Sequence, residues 1–337
     1  MANIHDIAKC AEVSVATVSR AFNQPQSLSP ATLKRVRQVA QALNYMPNTD
    51  ARNLRRAGRN TGKLTHTVGF LAVAKTLIGG DPFAHELFES VVAAVTERGY
   101  GLRVIAASPD GDIPRAIEQG EVDGVICRFS SPMVREIAQR MPAVSLDYHD
   151  PDAEGYAVIP DYESGLRSVM ERLFAAGHRR IVLMANNPDN LHQRGFWNIF
   201  PNTCRQAYHA HRLPLPANLF LGAASDARQG YALGLSLLQD ADHRPDAVIG
   251  PDAAMQGFYR AAAEQHVSIP DALSVVGVNG LRLGEFLPPP LTTLDVQIRR
   301  MGGVAVGLLL DNIQSDTRRR GVEITPVELC IRSSARI

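Results

Sequence analysis

The sequence predicts a small all-α head joined to a larger α/β body, and three observations lead there. Over roughly the first forty residues, apolar side chains recur every three to four positions, the period of helices packed face to face. From Val68 onward, short apolar runs alternate with helical patterns, which signals parallel sheets covered by helices on both faces. Charge divides at the same place. Residues 1–63 hold ten Lys/Arg against three Asp/Glu, a net +7, which leaves −6 for the remainder of a chain whose total is +1. A basic head on an acidic body points to a polyanionic partner for the head.

The head can be read helix by helix. Ile4, Ile7, Ala8 and Ala11 fall on one face of a first helix, and the AEVS run makes a tight turn. Ser14 is placed to cap a second helix, Val15 to Phe22, with Val18 and Phe22 pointing inward. Ser29 caps a third, Pro30 to Leu43, whose Leu33, Val36, Ala40 and Leu43 close a three-helix core. This is a helix-turn-helix, assigned to residues 1–47. In that motif the second helix enters the major groove, so Val15, Ala16 and Arg20 are its outward candidates. Val15 and Ala16 offer apolar contact to thymine methyls; Arg20 can bond bidentately to guanine or hold a phosphate. Thr17 and Ser19 suit phosphate oxygens, and Ser14 and Asn23 complete the candidate DNA contacts of this helix. Glu12 stands at a turn position where glycine is usual, so the backbone there must be strained or the turn shifted.

The body supplies ten candidate strands: VGFLAV, GLRVIAA, VDGVIC, AVSLD, YAVIP, RIVLMA, LFLGA, DAVIG, LSVVGV and LTTLDV. Helical patterns between them include 84–98, 163–176, 227–239 and 253–265. At 337 residues and 45% hydrophobic, the chain can bury one large core or two medium ones beside the small head. It has no apolar stretch of bilayer length and no secretory leader pattern, so a cytoplasmic protein without a membrane partner is expected. Cys10, Cys127, Cys204 and Cys330 stand apart from one another and from histidines at ligand spacing, which argues against a metal site or a disulfide framework. No GxSxG elbow, GxxxxGK[ST] loop, HExxH or strand-helix GxGxxG is present, and no cofactor is expected. His178, in AAGHRRI beside a helix C-terminus, reads as structural.

The runs DIAKCAEVSVATVSRAFN and LNYMPNTDARNLRR resemble the head of the lactose-repressor (LacI/GalR) family of bacterial transcription regulators. AAGHRRIVLM, IPDALSVVGV and PPPLTTLDV resemble that family's effector-binding body. The resemblance covers nearly the whole chain. It implies a hinge helix that folds on operator DNA, in which Leu54 matches a leucine that wedges into the minor groove. Asn48 is then its N-cap, and Ala51 and Arg55 flank the wedge. Residues 48–66 are accordingly hinge and linker; the stretch AGRNTGKLTHT is longer and more polar than the usual connection. For residues 67–337 the resemblance implies a two-lobed clamshell like that of periplasmic binding proteins. Its N-lobe takes about 67–161 and 295–322, its C-lobe about 162–294 and 323–337, with crossovers near Asp161, Leu294 and Val322.

Between the lobes, the resemblance places an effector site at strand C-terminal ends. Asp147 matches a carboxylate that contacts sugar hydroxyls in relatives, and Phe83, in DPF, lies in the first strand-helix loop. Four features depart from the family's pattern, one being the absence of an RxxGY motif at the start of a C-lobe helix. Asn279 replaces an acid, Pro251 removes an amide, and Ser225 falls where an aromatic platform is common. Trp197 and Phe200, with Arg194 nearby, have the composition of a sugar-stacking patch but equally that of helix packing; Arg194 is the candidate substitute for the family's cleft arginine.

The expected function is that of a sequence-specific transcriptional regulator, a repressor that binds double-stranded, pseudo-palindromic operator DNA as a homodimer under control of a small polar, sugar-like effector. No leucine-heptad tail follows ELCIRSS, which favours a dimer over a tetramer built through such a tail. A sugar-binding sensor or carrier without operator specificity, and an enzyme on the same scaffold, are the alternatives.

Overall fold

The computed structural model describes residues 4–23, 28–43, 64–73, 81–185, 196–217, 219–220, 222, 224–240, 244–315 and 319–337. Contacts divide the chain into two units, 1–63 and 64–337. The smaller unit holds α1 (Ile4–Cys10), α2 (Val15–Asn23) and α3 (Pro30–Ala42). They close on a core of Ile7, Ala8, Ala11, Val18, Ala21, Val36 and Ala40, all buried, which are the small and β-branched positions that helical periodicity selects. Glu12 resolves the question its position raised, because it takes the left-handed conformation at φ 51° and the turn keeps its shape.

In the larger unit, the first sheet has the order β10-β5-β4-β3-β1-β2. Its strands are β1 (Thr67–Ala72), β2 (Gly101–Ala106), β3 (Gly124–Cys127), β4 (Ala143–Leu146), β5 (Tyr156–Pro160) and β10 (Gly321–Thr325). Every pairing in it is parallel. The second sheet, β11-β9-β8-β7-β6, contains β6 (Ile181–Leu183), β7 (Ala247–Pro251), β8 (Ser274–Asn279), β9 (Thr292–Asp295) and β11 (Glu328–Cys330). It is parallel except where β11 runs against β9.

Both faces of each sheet are covered, which is why the central strands read as unbroken apolar runs. In β1, Val68, Phe70 and Ala72 face a core shared with α4 (Pro82–Glu97) and α11 (Ile298–Gln314). Leu71 faces the opposite core, with α5 (Arg115–Glu118) and α6 (Pro132–Arg140). The second sheet repeats the scheme. Val276 and Val278 face α7 (Tyr162–Ala175) and α8 (Phe196–Ala210), while Val275 faces the side of α9 (Ala227–Leu238) and α10 (Asp252–Glu264).

Three passages link the sheets: after β5, after β9 and after β10. The last falls beyond Thr325, a few residues after the crossover expected near Val322, because β10 continues beside β5 to that residue. One strand reading and one boundary need correction. Of LFLGA, the described residues Leu219, Phe220 and Gly222 form no strand; Phe220 makes a single bridge to Leu183, and Leu219 is buried in a connecting segment. Residues 64–66, assigned to the linker, group with the body, where Asp123 accepts the N–H groups of Thr65 and Thr67 at 2.6 and 3.3 Å.

Candidate functional site

On α2, Ser14 accepts the Thr17 N–H at 3.1 Å and lies 2.9 Å from the Thr17 hydroxyl, so the helix opens on a satisfied N-cap. Ala16 and Arg20 are exposed and Thr17 is half-buried. Val15 differs from the reading that turned it outward: it is half-buried and packs on the head core. It stands three residues before Val18, so it shares the flank of the inward stripe and offers only an edge to a thymine methyl. Ser19, Phe22 and Asn23 belong to α2, but their side chains lie outside the described residues. So do Asn48, Ala51, Leu54 and Arg55 altogether.

In the body, the C-terminal ends of strands from both sheets converge on one small cavity of about 40 Å3, which includes Asp81, Phe83, Arg128, Asp147, Tyr162, Ser225, Pro251, Ala253 and Asn279 in its lining. Asp81 caps α4, accepting from the Phe83 and Ala84 amides at 3.1 and 3.3 Å through Oδ1. Its Oδ2 accepts from Arg128 at 3.0 Å. Arg128 leaves the end of β3, lies 4.7 Å from the Phe83 ring centroid, and donates to Asp147 Oδ2 at 3.4 Å. Asp147 follows β4 in the left-handed conformation, φ 62°, and its Oδ1 accepts the Tyr162 hydroxyl at 2.7 Å. Phe200 packs edge-on against Tyr162, 5.5 Å between centroids, so of its two readings packing is the one seen.

Burial pushes the Asp147 carboxyl above its usual range, with Arg128 and the Tyr162 hydrogen bond opposing. Burial also works against the Arg128 charge, but Asp147 and Asp81 outweigh it and hold the guanidinium above its ordinary pKa. The Tyr162 hydroxyl is driven well above ten by burial and the adjacent Asp147 carboxylate, so it stays a donor. The Arg128 Nε–H is buried and has no acceptor among the described residues. A buried donor in that condition is suited to an acceptor brought by a ligand.

From the second sheet, Asn279 ends β8 at φ 114° and is buried. Ser225 is exposed, with its amide donated to Gln229 Oε1 at 2.9 Å. Carboxylates, a guanidinium and an amide fixed on rigid strand ends can accept from and donate to vicinal hydroxyls. Four sequence-predicted residues, Phe83, Asp147, Ser225 and Asn279, are gathered here. Arg194 lies outside the described residues; Trp197 is in α8, with its side chain likewise outside. Sequence reasoning missed Arg128 and Tyr162. The strand-end rule that selects Asp147 also selects Arg128, a charged residue directly after the buried strand GVIC.

One other cluster has the outline of a hydrolytic triad. His178 Nε2 lies 3.2 Å from Ser274 Oγ and 3.0 Å from the Arg336 carbonyl, while its Nδ1 is 3.7 Å from Asp246. Ser274 has no exposed surface and its Oγ accepts the Arg336 N–H at 3.0 Å, so these groups tie the end of α7 to the C-terminal segment. Among the described residues no group of His, Cys, Asp and Glu could hold a metal ion, and no helix is long and apolar enough to cross a membrane.

Comparison with known proteins agrees with this architecture. Residues 3–48 match the profile of bacterial regulatory proteins of the lacI family, and residues 170–335 that of the periplasmic binding protein-like domain. The ribose operon repressor of Escherichia coli (strain K12) is 29% identical over 344 residues, spanning 97% of this chain and 98% of the relative. The lac repressor dimer bound to operator and the anti-inducer ONPF superposes with a TM-score of 0.77 at 23% identity, covering 99% of this chain and 98% of that one. The complex of the transcriptional regulator CelR with cellobiose gives 0.68 at 23% identity, covering 99% and 100%. With a capped helix-turn-helix ahead of two parallel sheets whose strand ends meet in a polar cavity, the chain joins a DNA-binding head of the lacI family of bacterial regulatory proteins to a periplasmic binding protein-like body, the two parts of a DNA-binding transcriptional regulator.

Proposed function

We propose that this regulator is a cytoplasmic repressor that binds a pseudo-palindromic operator as a homodimer, and that a small, neutral, polyhydroxylated metabolite of sugar type sets its affinity from the cleft. The observation that carries the reading is the Asp81–Arg128–Asp147 array, braced by Phe83 and Tyr162 and facing the same cavity as Asn279. One guanidinium between two carboxylates leaves the described lining without surplus positive charge, which disfavours anions and suits hydroxyls. The relatives named for ribose and cellobiose lend support to a sugar. The present cavity has room for only a water or two. A sugar therefore enters with the lobes parted and is enclosed as they close, the movement that connects cleft to head. On α2, Ala16, Thr17, Arg20 and an edge of Val15 are assigned to DNA, with Ser14, Ser19 and Asn23 beside them; Leu54, with Asn48, Ala51 and Arg55, is assigned to the minor groove.

The test is an electrophoretic mobility shift on the protein's own promoter region against random DNA, with a salt titration and with sugars added. A regulator gives sequence preference and a steep salt slope, and one sugar of a panel containing D-ribose and cellobiose changes the shift. Equal binding to both DNAs would overturn the operator reading. Thermal melting unmoved by every sugar in the panel would overturn the effector class.

A further inference from the structure

Three sequence features outside the cleft lining meet at one carboxylate. Asp252 begins α10 directly after β7 and has no exposed surface. Its Oδ1 accepts the Thr293 hydroxyl, on β9, at 2.7 Å, and its Oδ2 accepts the Leu281 N–H, just past β8, at 2.6 Å. To reach β9 from β7 the side chain passes over β8 at Gly277, where a Cβ would lie 2.0 Å from Asp252 Oδ1 and 2.9 Å from Thr293 Oγ1. The glycine of SVVG and the second threonine of LTT thus serve one strap across three strands. Thr293 Oγ1 also accepts the Gly280 N–H at 3.4 Å.

The segment under the strap needs outside restraint. Asn279 and Gly280 take successive positive φ values, 114° and 73°, and the first is strained for a residue with a side chain. At Gly280 a Cβ would stand 2.5 Å from Asp295, so the chain has no room to relax toward that side.

We propose that Asp252 is a positioning residue for effector binding, its strap over Gly277 to Thr293 and Leu281 holding Asn279 in the cleft lining. This rests on the reading of the cleft as the effector site. Asp252 itself is absent from the cavity lining and acts through the 279–281 backbone. Burial pushes its carboxyl up to about 7, opposed by Thr293, the Leu281 amide and Arg332. The other ionisable groups coupled to it are Tyr259 on α10 and Cys330 on β11. Ionised, the carboxylate accepts from both partners; protonated, it turns one oxygen into a donor and weakens the strap.

Amide hydrogen exchange on the full-length protein tests this without any ligand. Asp252→Asn keeps the shape with one acceptor replaced by an amide, Thr293→Val removes only the cross-strand bond, and Asp252→Ala removes the strap. The expected result is a loss of protection of about tenfold or more at Gly280 and Leu281 in Asp252→Ala, and less in the other two, with peptides of β4 and β5 unchanged. After correction for intrinsic rates, wild-type protection at these amides shows a step between roughly pH 6 and roughly pH 8, and Asp252→Asn lacks that step. Isothermal titration with D-ribose and cellobiose adds that Asp252→Asn and Asn279→Ala weaken the same sugar, and that the double variant is no weaker than the worse single one. Unchanged protection at 280–281 in both Asp252 variants, or a loss spread equally over β4 and β5, overturns the proposal. Because the exchange measurement needs no sugar, it decides the matter even where the sugar reading fails.

Discussion

Replacing Arg128 with methionine keeps the length of the side chain and its contact with Phe83 but removes the charge between Asp81 and Asp147. Asp147 is left buried, its side chain 7% exposed, with only the Tyr162 hydroxyl from the original pair of partners. Breaking a buried pair costs about 3–5 kcal/mol because the remaining charge is uncompensated. Here the guanidinium is 21% exposed and its bond to Asp147 is long at 3.4 Å, which places the loss near the lower end. A loss of about 3 kcal/mol lowers the melting temperature of a body this size by about 6–12 °C. The loss depends on pH in a defined direction. Burial already holds the Asp147 carboxyl above its usual range, and removing Arg128, which opposes that shift, raises it further. Between the unfolded carboxylate range and that raised value, the folded variant holds a proton that the unfolded chain has released, so its stability falls as pH rises through that window. The penalty is therefore smallest at the acid end of that window and full at its alkaline end. Circular-dichroism melts of wild type, Arg128→Met and Arg128→Met/Asp147→Asn across that range decide the matter. A penalty equal at both ends, or one that Asp147→Asn does not relieve, refutes the account of Arg128 as the counter-ion.

Ser14→Ala removes the N-cap of α2 and destabilises the head by about 1 kcal/mol, read as a lower melting point of the head with that of the body unchanged. Arg20→Ala relaxes preference at one base pair of each half-site by about 1–3 kcal/mol in binding to operator variants; a uniform loss assigns Arg20 to phosphate. Leu54→Ala lowers operator affinity far more than affinity for random DNA, and equal losses in a gel shift remove the minor-groove wedge. Asp252, protonated up to about 7 when folded and only to the ordinary carboxylate range when unfolded, makes the body less stable as pH rises between those values and level above them. Asp252→Asn flattens that part of the melting profile.

What could be read from the sequence follows from how local its causes are. Ser14 and Ser29 were recognisable as caps because a cap needs only a hydroxyl and an amide three residues on, at 3.1 and 3.2 Å here. Val15 was misplaced because its facing depends on the angle at which three helices meet, which periodicity over one helix leaves open. GVEIT went unread as β10 for a related reason. It is an edge strand with Val322 and Ile324 exposed, so it lacks the burial that marks the central strands. LFLGA was read as a strand because apolar side chains report burial rather than pairing. In the cleft, Asp147 and Asn279 were singled out through the family resemblance, which aligns each with a cleft position at the end of an apolar run. The Asp252 strap was not, since it joins residues 41 apart and needs a glycine in a third strand to pass.

The geometry of β1 constrains how a ligand in this cleft can act on DNA. The chain enters the body at Leu64, fixed through Thr65 and Thr67 to Asp123, at the N-terminal end of β1. The cleft residues lie at the opposite, C-terminal ends of the strands, and six residues of parallel strand separate the two by about 20 Å. No effector reaches both, so the signal must be a rearrangement of whole elements. The described contacts offer one such route, because Arg282, two residues past the strap at Gly280, reaches from the second sheet to Glu89 on α4 at 3.6 Å. The backbone of Arg282 also bonds Glu86 on the same helix, whose carboxyl is pushed up first by burial and drawn back by that bond. The Glu89 pair is exposed and worth little by itself. Its importance is positional: α4 begins at Asp81, under Arg128, so the helix that Arg282 touches in its middle is the helix whose first turn lines the cleft.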